Sequence, residues 1–238
     1  MRFFLVLVIG IRVGLCSLPE TNMKTLDIIS YYGYPAEEIP VETKDGYLLK
    51  IHRIPAQLQK RFDGFVKKPP VVFLQHGLLG SSADWILNTP TNSLGFLLAD
   101  LGFDVWIGNF RGNIYSRSHT NLTIKDEKYW QFSWDEMAKY DLPAMIDMVL
   151  HITKRSCIYY IGHSQGTLTM FAMLSQNPVY SQKIRKIFAL APVGRVSHIQ
   201  GILGFLARHF RLLFPVSSKF QKNYLPLSTN NFLSLRWV

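Results

Sequence analysis

A serine between two glycines is the residue whose type and surroundings most directly indicate chemistry in this chain. Gly162, Ser164 and Gly166 form the pattern Gly-x-Ser-x-Gly, with an apolar run before it and a helix-like stretch after it. The order strand, tight turn, helix lifts a serine hydroxyl above the edge of a sheet, and the glycines let strand and helix pass close to the turn. The N–H of Gln165 at the helix start would face a developing oxyanion. The pattern predicts a nucleophile, Ser164; a glycine-rich turn after a core strand is the alternative interpretation.

A second oxyanion donor is expected from a His-Gly pair that follows another apolar run. Residues 71–75 lead directly into His76, Gly77 and Leu78. In serine hydrolases with this layout, a loop after an earlier strand supplies the second N–H. Gly77 would allow the backbone to turn, and the N–H of Leu78 would then face the N–H of Gln165. An ordinary strand-to-loop turn is the alternative here.

Strand-like and helix-like stretches alternate along the chain, which predicts an α/β fold with a mostly parallel sheet and helices on both faces. Four continuous apolar runs have the composition of strands buried on both faces. They are residues 71–74, 103–107, 158–161 and 187–190. The expected helices are residues 93–101, a helix capped by Asp141 with Pro143 in its first turn, and residues 167–176. Residues 38–43 and 47–53 flank an Asp-Gly turn and predict a hairpin.

Composition and charge fit a folded domain and argue against a nucleic-acid partner. The chain has 238 residues, of which 48% are hydrophobic and 18% charged, as in ordinary globular proteins. The formal net charge is +10, but the basic residues are scattered among apolar ones and form no stripe with aromatic partners. The 7 histidines show no ligand-like spacing with carboxylates or cysteines. We therefore expect no nucleic acid, no metal site and no cofactor.

Several features predict passage through the secretory pathway. Residues 1–16 combine a basic start, a short apolar run and a small-residue cleavage site, which is typical of a signal peptide. No other apolar stretch reaches the roughly 20 residues of a membrane span. Asn121 begins a glycosylation triplet. Cleavage after residue 16 would leave Cys157 as the one cysteine, expected as a buried thiol. The predicted location is the extracellular space or the lysosome.

Residues 22–193 resemble the acid lipases, the family that contains gastric lipase and lysosomal acid lipase. The matching segments are residues 28–35, 45–47, 72–79, 98–100, 108–109, 111–113, 135–143 and 162–167. The resemblance implies an α/β-hydrolase core over residues 17–194 and the start of a helical cap over residues 195–238. It also implies hydrolysis of neutral lipid esters, triacylglycerols or sterol esters, at a lipid interface. Ser164 corresponds to the nucleophile, and the amides of Leu78 and Gln165 correspond to the oxyanion hole.

The other members of a catalytic triad cannot be assigned in this chain. In this fold an Asp or Glu and then a His follow the serine. The last acidic residue is Asp147, and the histidines after Ser164, His198 and His209, fall in the expected cap. His163 is expected to be packed or solvent-facing rather than a substitute base. We therefore expect a C-terminally incomplete, truncated lipase chain.

Three functional interpretations follow. The first is a lipase-type ester hydrolase represented by an incomplete chain. The second is an inactive homologue that binds lipid or has no independent function. The third, an intracellular hydrolase of small esters, is disfavoured by the predicted signal peptide. Residues 202–213 carry an apolar helical face, which fits either a core-facing helix or a cap helix that meets lipid. Oligomeric state is not predicted.

Overall fold

The computed structural model describes residues 19–56 and 68–194, which form the predicted α/β architecture. The predicted signal peptide, residues 1–16, and the predicted cap, residues 195–238, lie outside the described residues. The histidines of the cap segment, His198 and His209, lie outside them as well.

One mixed sheet organises the described residues. Its strands are β1 (Glu37–Glu42), β2 (Tyr47–Ile54), β3 (Val71–Gln75), β4 (Asp104–Gly108), β5 (Ser118–His119), β6 (Ile158–His163) and β7 (Ile184–Leu190). Their order is β1-β2-β4-β3-β6-β7, and β5 pairs with β2 off this path. The pairs β4–β3, β3–β6 and β6–β7 are parallel, whereas β2 pairs antiparallel with its neighbours. This order brings the C-terminal ends of β3 and β6 side by side, with Gln75 in register with Gly162.

Helices cover both faces of this sheet. They are α1 (Thr25–Tyr31), α2 (Leu94–Asp100), α3 (Trp134–Glu136), α4 (Leu142–Thr153) and α5 (Gln165–Gln176). Apolar residues of α1 and α2 pack into one core cluster, and those of α4 and α5 pack into another on the opposite face. Strands β3 and β4 are buried at every position, because both of their faces are covered. The predicted fold class is therefore confirmed.

The prediction that Asp141 caps a helix is wrong. The helical segment begins earlier, at Trp134, where Ser133 Oγ accepts a hydrogen bond from the N–H of Asp135 at 3.0 Å. A π-helical segment, Met137–Asp141, then joins α3 to α4. Asp141 itself has helical dihedrals, φ −67° and ψ −56°. Its carboxylate binds an arginine across the domain, so it is not available for a cap.

Two smaller expectations are also corrected. Strand β7 begins at Ile184, three residues before the predicted start, because pairing with β6 extends through the polar residues Arg185 and Lys186. Cys157 is partly exposed rather than buried, since it precedes β6 instead of lying within it. Among the described residues, β7 pairs only with β6.

Within residues 19–56 and 68–194, no helix is both long enough and apolar enough to cross a bilayer. The same ranges contain no group of three or more His, Cys, Asp or Glu side chains arranged to hold a metal ion.

Candidate active site

Ser164 lies at a sharp bend between β6 and α5. Its dihedrals, φ 49° and ψ −111°, belong to a region that a residue with a side chain rarely adopts. Two backbone hydrogen bonds hold this conformation. The N–H of Ser164 donates to the carbonyl of Leu190 at 2.9 Å, and its own carbonyl accepts from the N–H of Thr167 at 2.9 Å. The surrounding elements therefore determine the strained backbone that raises the hydroxyl above the sheet.

The two glycines of the motif are required because the backbone passes too close for a side chain. A β-carbon on Gly162 would lie 2.9 Å from the backbone carbonyl carbon of Gly166. A β-carbon on Gly166 would lie 2.6 Å from the carbonyl oxygen of Gln75 on β3. Both distances are below any that real β-carbons adopt. The close approach of α5 to β3 places the start of α5 against the loop that follows β3.

Replacing Ser164 by glycine is expected to stabilise the fold relative to replacing it by alanine. Alanine keeps the steric cost of a positive φ in the folded state, whereas glycine removes that cost. The greater conformational entropy of glycine in the unfolded chain cancels only part of this stabilisation. The expected difference in the free energy of unfolding is about 1 kcal/mol, measured by urea denaturation. A glycine variant less stable than the alanine variant would show that the bend is not strained.

The loop after β3 lies directly against the serine. A β-carbon on Gly77 would be 3.2 Å from Cβ of Ser164 and 3.0 Å from Nδ1 of His163. The N–H groups of Leu78 and Gln165 have no acceptor among the described residues. The fold thus brings two unpaired backbone donors from distant parts of the chain to the side of one serine. Such donors can stabilise an oxyanion formed when the serine attacks a carbonyl.

His76 fixes the orientation of this loop. Its Nδ1–H donates to the carbonyl of Gly77 at 2.8 Å, and its Nε2 accepts from the N–H of Phe110 at 3.2 Å. The carbonyl of Gly77 also accepts from the N–H of Gly80 at 3.2 Å. Because the C=O and N–H of one trans peptide point in opposite directions, the N–H of Leu78 is directed away from these two partners. Nε2 of His76 is occupied, so this histidine is not a free base.

We expect His76 to stay neutral in the folded protein at pH 5. Burial lowers its pKa from the ordinary 6.5 of a histidine to about 4. As the pH falls below about 6.5, the unfolded chain takes up a proton that the folded protein does not, so the folded state loses stability until about pH 4. The contribution of this residue is about 3 kcal/mol at most. Histidine ¹⁵N chemical shifts at pH 5 are expected to report a neutral ring protonated at Nδ1; an imidazolium signal would contradict this.

A cavity of about 370 Å³ opens beside the loop after β3. Its lining includes both predicted oxyanion donors, Leu78 and Gln165, but not Ser164, whose Cβ would lie 3.2 Å from a β-carbon on the lining residue Gly77. The apolar and aromatic part of the lining also includes Leu79, Phe110, Ile114, Trp130, Phe132 and Met137. Leu78, Leu79 and Ile114 are exposed despite being apolar. An apolar cavity with an apolar rim is suited to hydrocarbon next to a reacting carbonyl.

A buried ion pair supports the cavity wall, and it was missed from the sequence. Arg111 is 2% exposed, and its Nε donates to Asp141 Oδ1 at 2.8 Å. Its Nη1 donates to Asp45 Oδ2 at 2.7 Å, and its guanidinium carbon lies 3.9 Å from the ring centroid of Tyr47. Burial raises the pKa of Asp141, to about 6, and Arg111 opposes that rise. The sequence placed Arg111 directly after a strand, but nothing local pointed to Asp141 as its partner.

The remaining predicted residues lie away from these donors or lack the expected partner. Asn121 is exposed in a loop where its N–H donates to Nδ1 of His119. Among the described residues, no histidine nitrogen forms a hydrogen bond with the Ser164 hydroxyl, and His163 is exposed beside Gly77. The described residues thus contain the serine and its amide donors without a bonded base.

Comparison with known proteins places this geometry in a family. Residues 70–225 match a model described as alpha/beta hydrolase fold, and residues 25–89 match a model described as partial alpha/beta-hydrolase lipase region. "Lipase lipl-1" of Caenorhabditis elegans is 54% identical over 197 residues, 82% of this chain and 48% of that protein. "Lysosomal acid lipase/cholesteryl ester hydrolase" of Homo sapiens is 50% identical over 190 residues, 80% of this chain and 47% of that protein. "Lipase member K" of Homo sapiens is 53% identical over 182 residues, 76% of this chain and 45% of that protein.

The chain spans about half the length of the curated relatives that it matches. The matched residues include β3, the bend at Ser164 and the helices that flank them. The resemblance to the acid lipases is confirmed, and the chain belongs to the α/β-hydrolase family.

Proposed function

We propose that this chain carries the nucleophile and the oxyanion hole of a lipase-type carboxylic ester hydrolase acting on neutral lipid esters. The observation that carries the proposal is the strained bend at Ser164 beside the unpaired N–H groups of Leu78 and Gln165. Relatives named as lipases, one of them also as a cholesteryl ester hydrolase, support triacylglycerols or sterol esters as substrates. The exposed apolar rim of the cavity supports a lipid interface as the place of reaction.

In the proposed reaction, the Ser164 oxygen attacks the ester carbonyl and its proton passes to a base. The carbonyl oxygen becomes an oxyanion that accepts from the N–H groups of Leu78 and Gln165. Collapse of this intermediate expels the alcohol, which takes up the proton, and leaves an acyl-serine. Water then attacks the acyl group in the same way, releasing the carboxylic acid and restoring the hydroxyl.

We also propose that the protein enters the secretory pathway and is secreted or lysosomal. The proposal is supported by the leader-like residues 1–16 and by Asn121, which is exposed. The relatives named lysosomal acid lipase agree with such a location.

A second candidate, an inactive homologue that binds lipid, is favoured by one observation. Among the described residues, no histidine nitrogen forms a hydrogen bond with the Ser164 hydroxyl, and the neighbouring His163 is exposed. A serine without its base is a poor nucleophile. The two candidates share the cavity and differ in whether Ser164 becomes acylated.

Chemical rescue tests the proposal without depending on the source of the base. The 238-residue chain and its Ser164→Ala variant are assayed with p-nitrophenyl octanoate, with and without imidazole as an external base. Turnover near background is expected without imidazole. With imidazole, the wild-type rate is expected to exceed that of Ser164→Ala by about 10-fold.

Equal rates for the two chains at every imidazole concentration would contradict the ester-hydrolase proposal. If the chain binds octanoate but wild type and Ser164→Ala turn over the ester at equal rates, the inactive lipid-binding homologue is favoured. Strong turnover that depends on Ser164 without imidazole would support hydrolysis and would contradict the expectation of a missing base.

A further inference from the structure

The cavity beside the serine combines aromatic surface with positive charge. Phe110, Trp130 and Phe132 contribute aromatic rings to its lining, and its charged lining residues are Arg111 and Arg117. Among residues 19–56 and 68–194, no acidic side chain belongs to this lining. A ligand in the cavity therefore meets hydrocarbon and cationic groups at the same time.

The charge of Arg111 is already used within the protein. Its Nη1 lies 2.7 Å from Oδ2 of Asp45, and its Nη2 lies 2.6 Å from Oδ1 of Asp141. The guanidinium is buried behind these two carboxylates. Arg111 therefore shapes the wall but is not available to bind an anion.

Arg117 differs because its cation has no acidic partner. Its Nε donates to the carbonyl of Gly112 at 3.4 Å, which is a long bond. None of the ion pairs formed by the described residues includes Arg117. Its side chain is partly buried, and its terminal Nη groups donate to no other described residue. These spare N–H groups form the planar fork that fits a carboxylate.

We propose that this cavity binds a free fatty acid, with the carboxylate held by Arg117 and the hydrocarbon chain packed against the apolar lining. Binding requires no acylation of Ser164, so the site goes beyond the proposed hydrolysis, although both use one cavity. A fatty acid bound there would exclude an ester, because the two ligands need the same volume. The chain would thus retain fatty acid whether or not it also hydrolyses esters.

The size of the cavity favours a single-chain carboxylate over a phospholipid. Its volume of about 370 Å³ lies at the lower end of the roughly 300–1,000 Å³ that is typical of ligand pockets. An acidic phospholipid could also present an anion to Arg117, but it must place two acyl chains beside it. One chain with one terminal anion matches both the volume and the single unpaired cation.

Arg117 is expected to contribute about 10-fold to the binding of a fatty acid over an alcohol of equal chain length. The two ligands gain the same hydrophobic stabilisation, so their difference reports the charged contact. Because Arg117 is only partly buried, water screens the pair and limits the factor. The preference is therefore expected to shrink when the salt concentration is raised to about 0.5 M.

Binding measurements on the 238-residue chain test the assignment. The probes are decanoate and decan-1-ol, titrated by calorimetry at pH 8 and low salt, below the aggregation limit of each. Arg117→Met removes the cation and keeps an apolar stem, and Arg117→Lys restores a cation. Arg155→Met is the matched control, because Arg155 is also partly buried and donates to a backbone carbonyl, that of Pro69, but does not line the cavity.

The preference for decanoate is expected to fall to about two-fold or less in Arg117→Met, to be largely kept in Arg117→Lys, and to change less than two-fold in Arg155→Met. The affinity for decan-1-ol is expected to be equal in all four chains. An unchanged preference in Arg117→Met, an equal loss of both probes, or binding of neither probe to the wild type would overturn the assignment.

A two-chain probe separates the fatty acid from an acidic phospholipid. Dihexanoyl phosphatidate is expected to bind more weakly than decanoate; tighter binding that depends on Arg117 would reject a fatty-acid site. A preference for decanoate without imidazole rescue at Ser164 would retain this site and reject ester hydrolysis. Rescue at Ser164 without that preference would do the opposite.

Discussion

Replacing Gly166 by alanine is expected to lower the free energy of unfolding by about 3 kcal/mol. The new methyl group would lie 2.6 Å from the carbonyl oxygen of Gln75 and 3.0 Å from that of His76. These are backbone atoms at the end of β3, and they cannot turn aside as a flexible side chain would. Helix α5 must therefore move away from the sheet, which also displaces the N–H of Gln165. Urea denaturation measures the first effect, and imidazole-rescued turnover at Ser164 measures the second.

Gly102→Ala is the control for this substitution. Gly102 has a positive φ of 83°, but a β-carbon there meets no heavy atom within 4 Å. The control thus costs only backbone strain, about 1–2 kcal/mol. A loss in Gly166→Ala no larger than that in Gly102→Ala would show that α5 and β3 do not approach as closely as described.

Arg111→Met is expected to destabilise the fold by about 3–5 kcal/mol at pH 8. Asp141 has no exposed surface, and Arg111 donates to it from the backbone N–H at 3.0 Å and from Nε at 2.8 Å. Methionine fills much of the arginine's volume but leaves a buried carboxylate without its cation. Such an unpaired charge costs far more than the attraction between exposed charges. Thermal and urea unfolding at pH 8 measure the loss.

The loss in Arg111→Met is expected to shrink as the pH is lowered. Burial already raises the pKa of Asp141, to about 6, and removing the guanidinium raises it further. The folded variant then takes up a proton at a pH where the unfolded chain does not, so protonation favours the folded state as the pH falls through the folded pKa. A loss that is equal at pH 8 and pH 5 would contradict this cause.

Lys183→Met provides a matched control for the removal of an ion pair. Lys183 contacts Asp147 at 2.6 Å, but both side chains are substantially exposed, at 31% and 48%. Water screens such a pair, and its loss is expected to cost about 0–1 kcal/mol. Equal losses in Lys183→Met and Arg111→Met would show that burial of Asp141 is not the source of the effect.

Local sequence was sufficient for the longer strands and for helices α2 and α5, but it did not predict β5, α1 or α3. The hairpin of β1 and β2, the buried strands β3, β4 and β6, and helices α2 and α5 lie within a few residues of their predicted bounds. Each was signalled by apolar runs, periodicity or a turn pair, which depend only on neighbours in the chain. The cap assigned to Asp141 failed because a better start, Ser133 with Glu136, lay eight residues upstream.

The sequence by itself determined the class of the fold and the presence of a serine on a glycine-flanked bend, because both depend on patterns of residues that are neighbours in the chain. Only the tertiary structure decided that Gly77 lies against Ser164, that Arg111 pairs with Asp141, and that Gln165 contacts Met137 in the cavity wall. The sheet order β1-β2-β4-β3-β6-β7 brings these residues together from distant segments. Strand order and burial decide which of these residues become contact partners. Local spacing in the sequence does not encode either, so these contacts could be identified only in the folded chain.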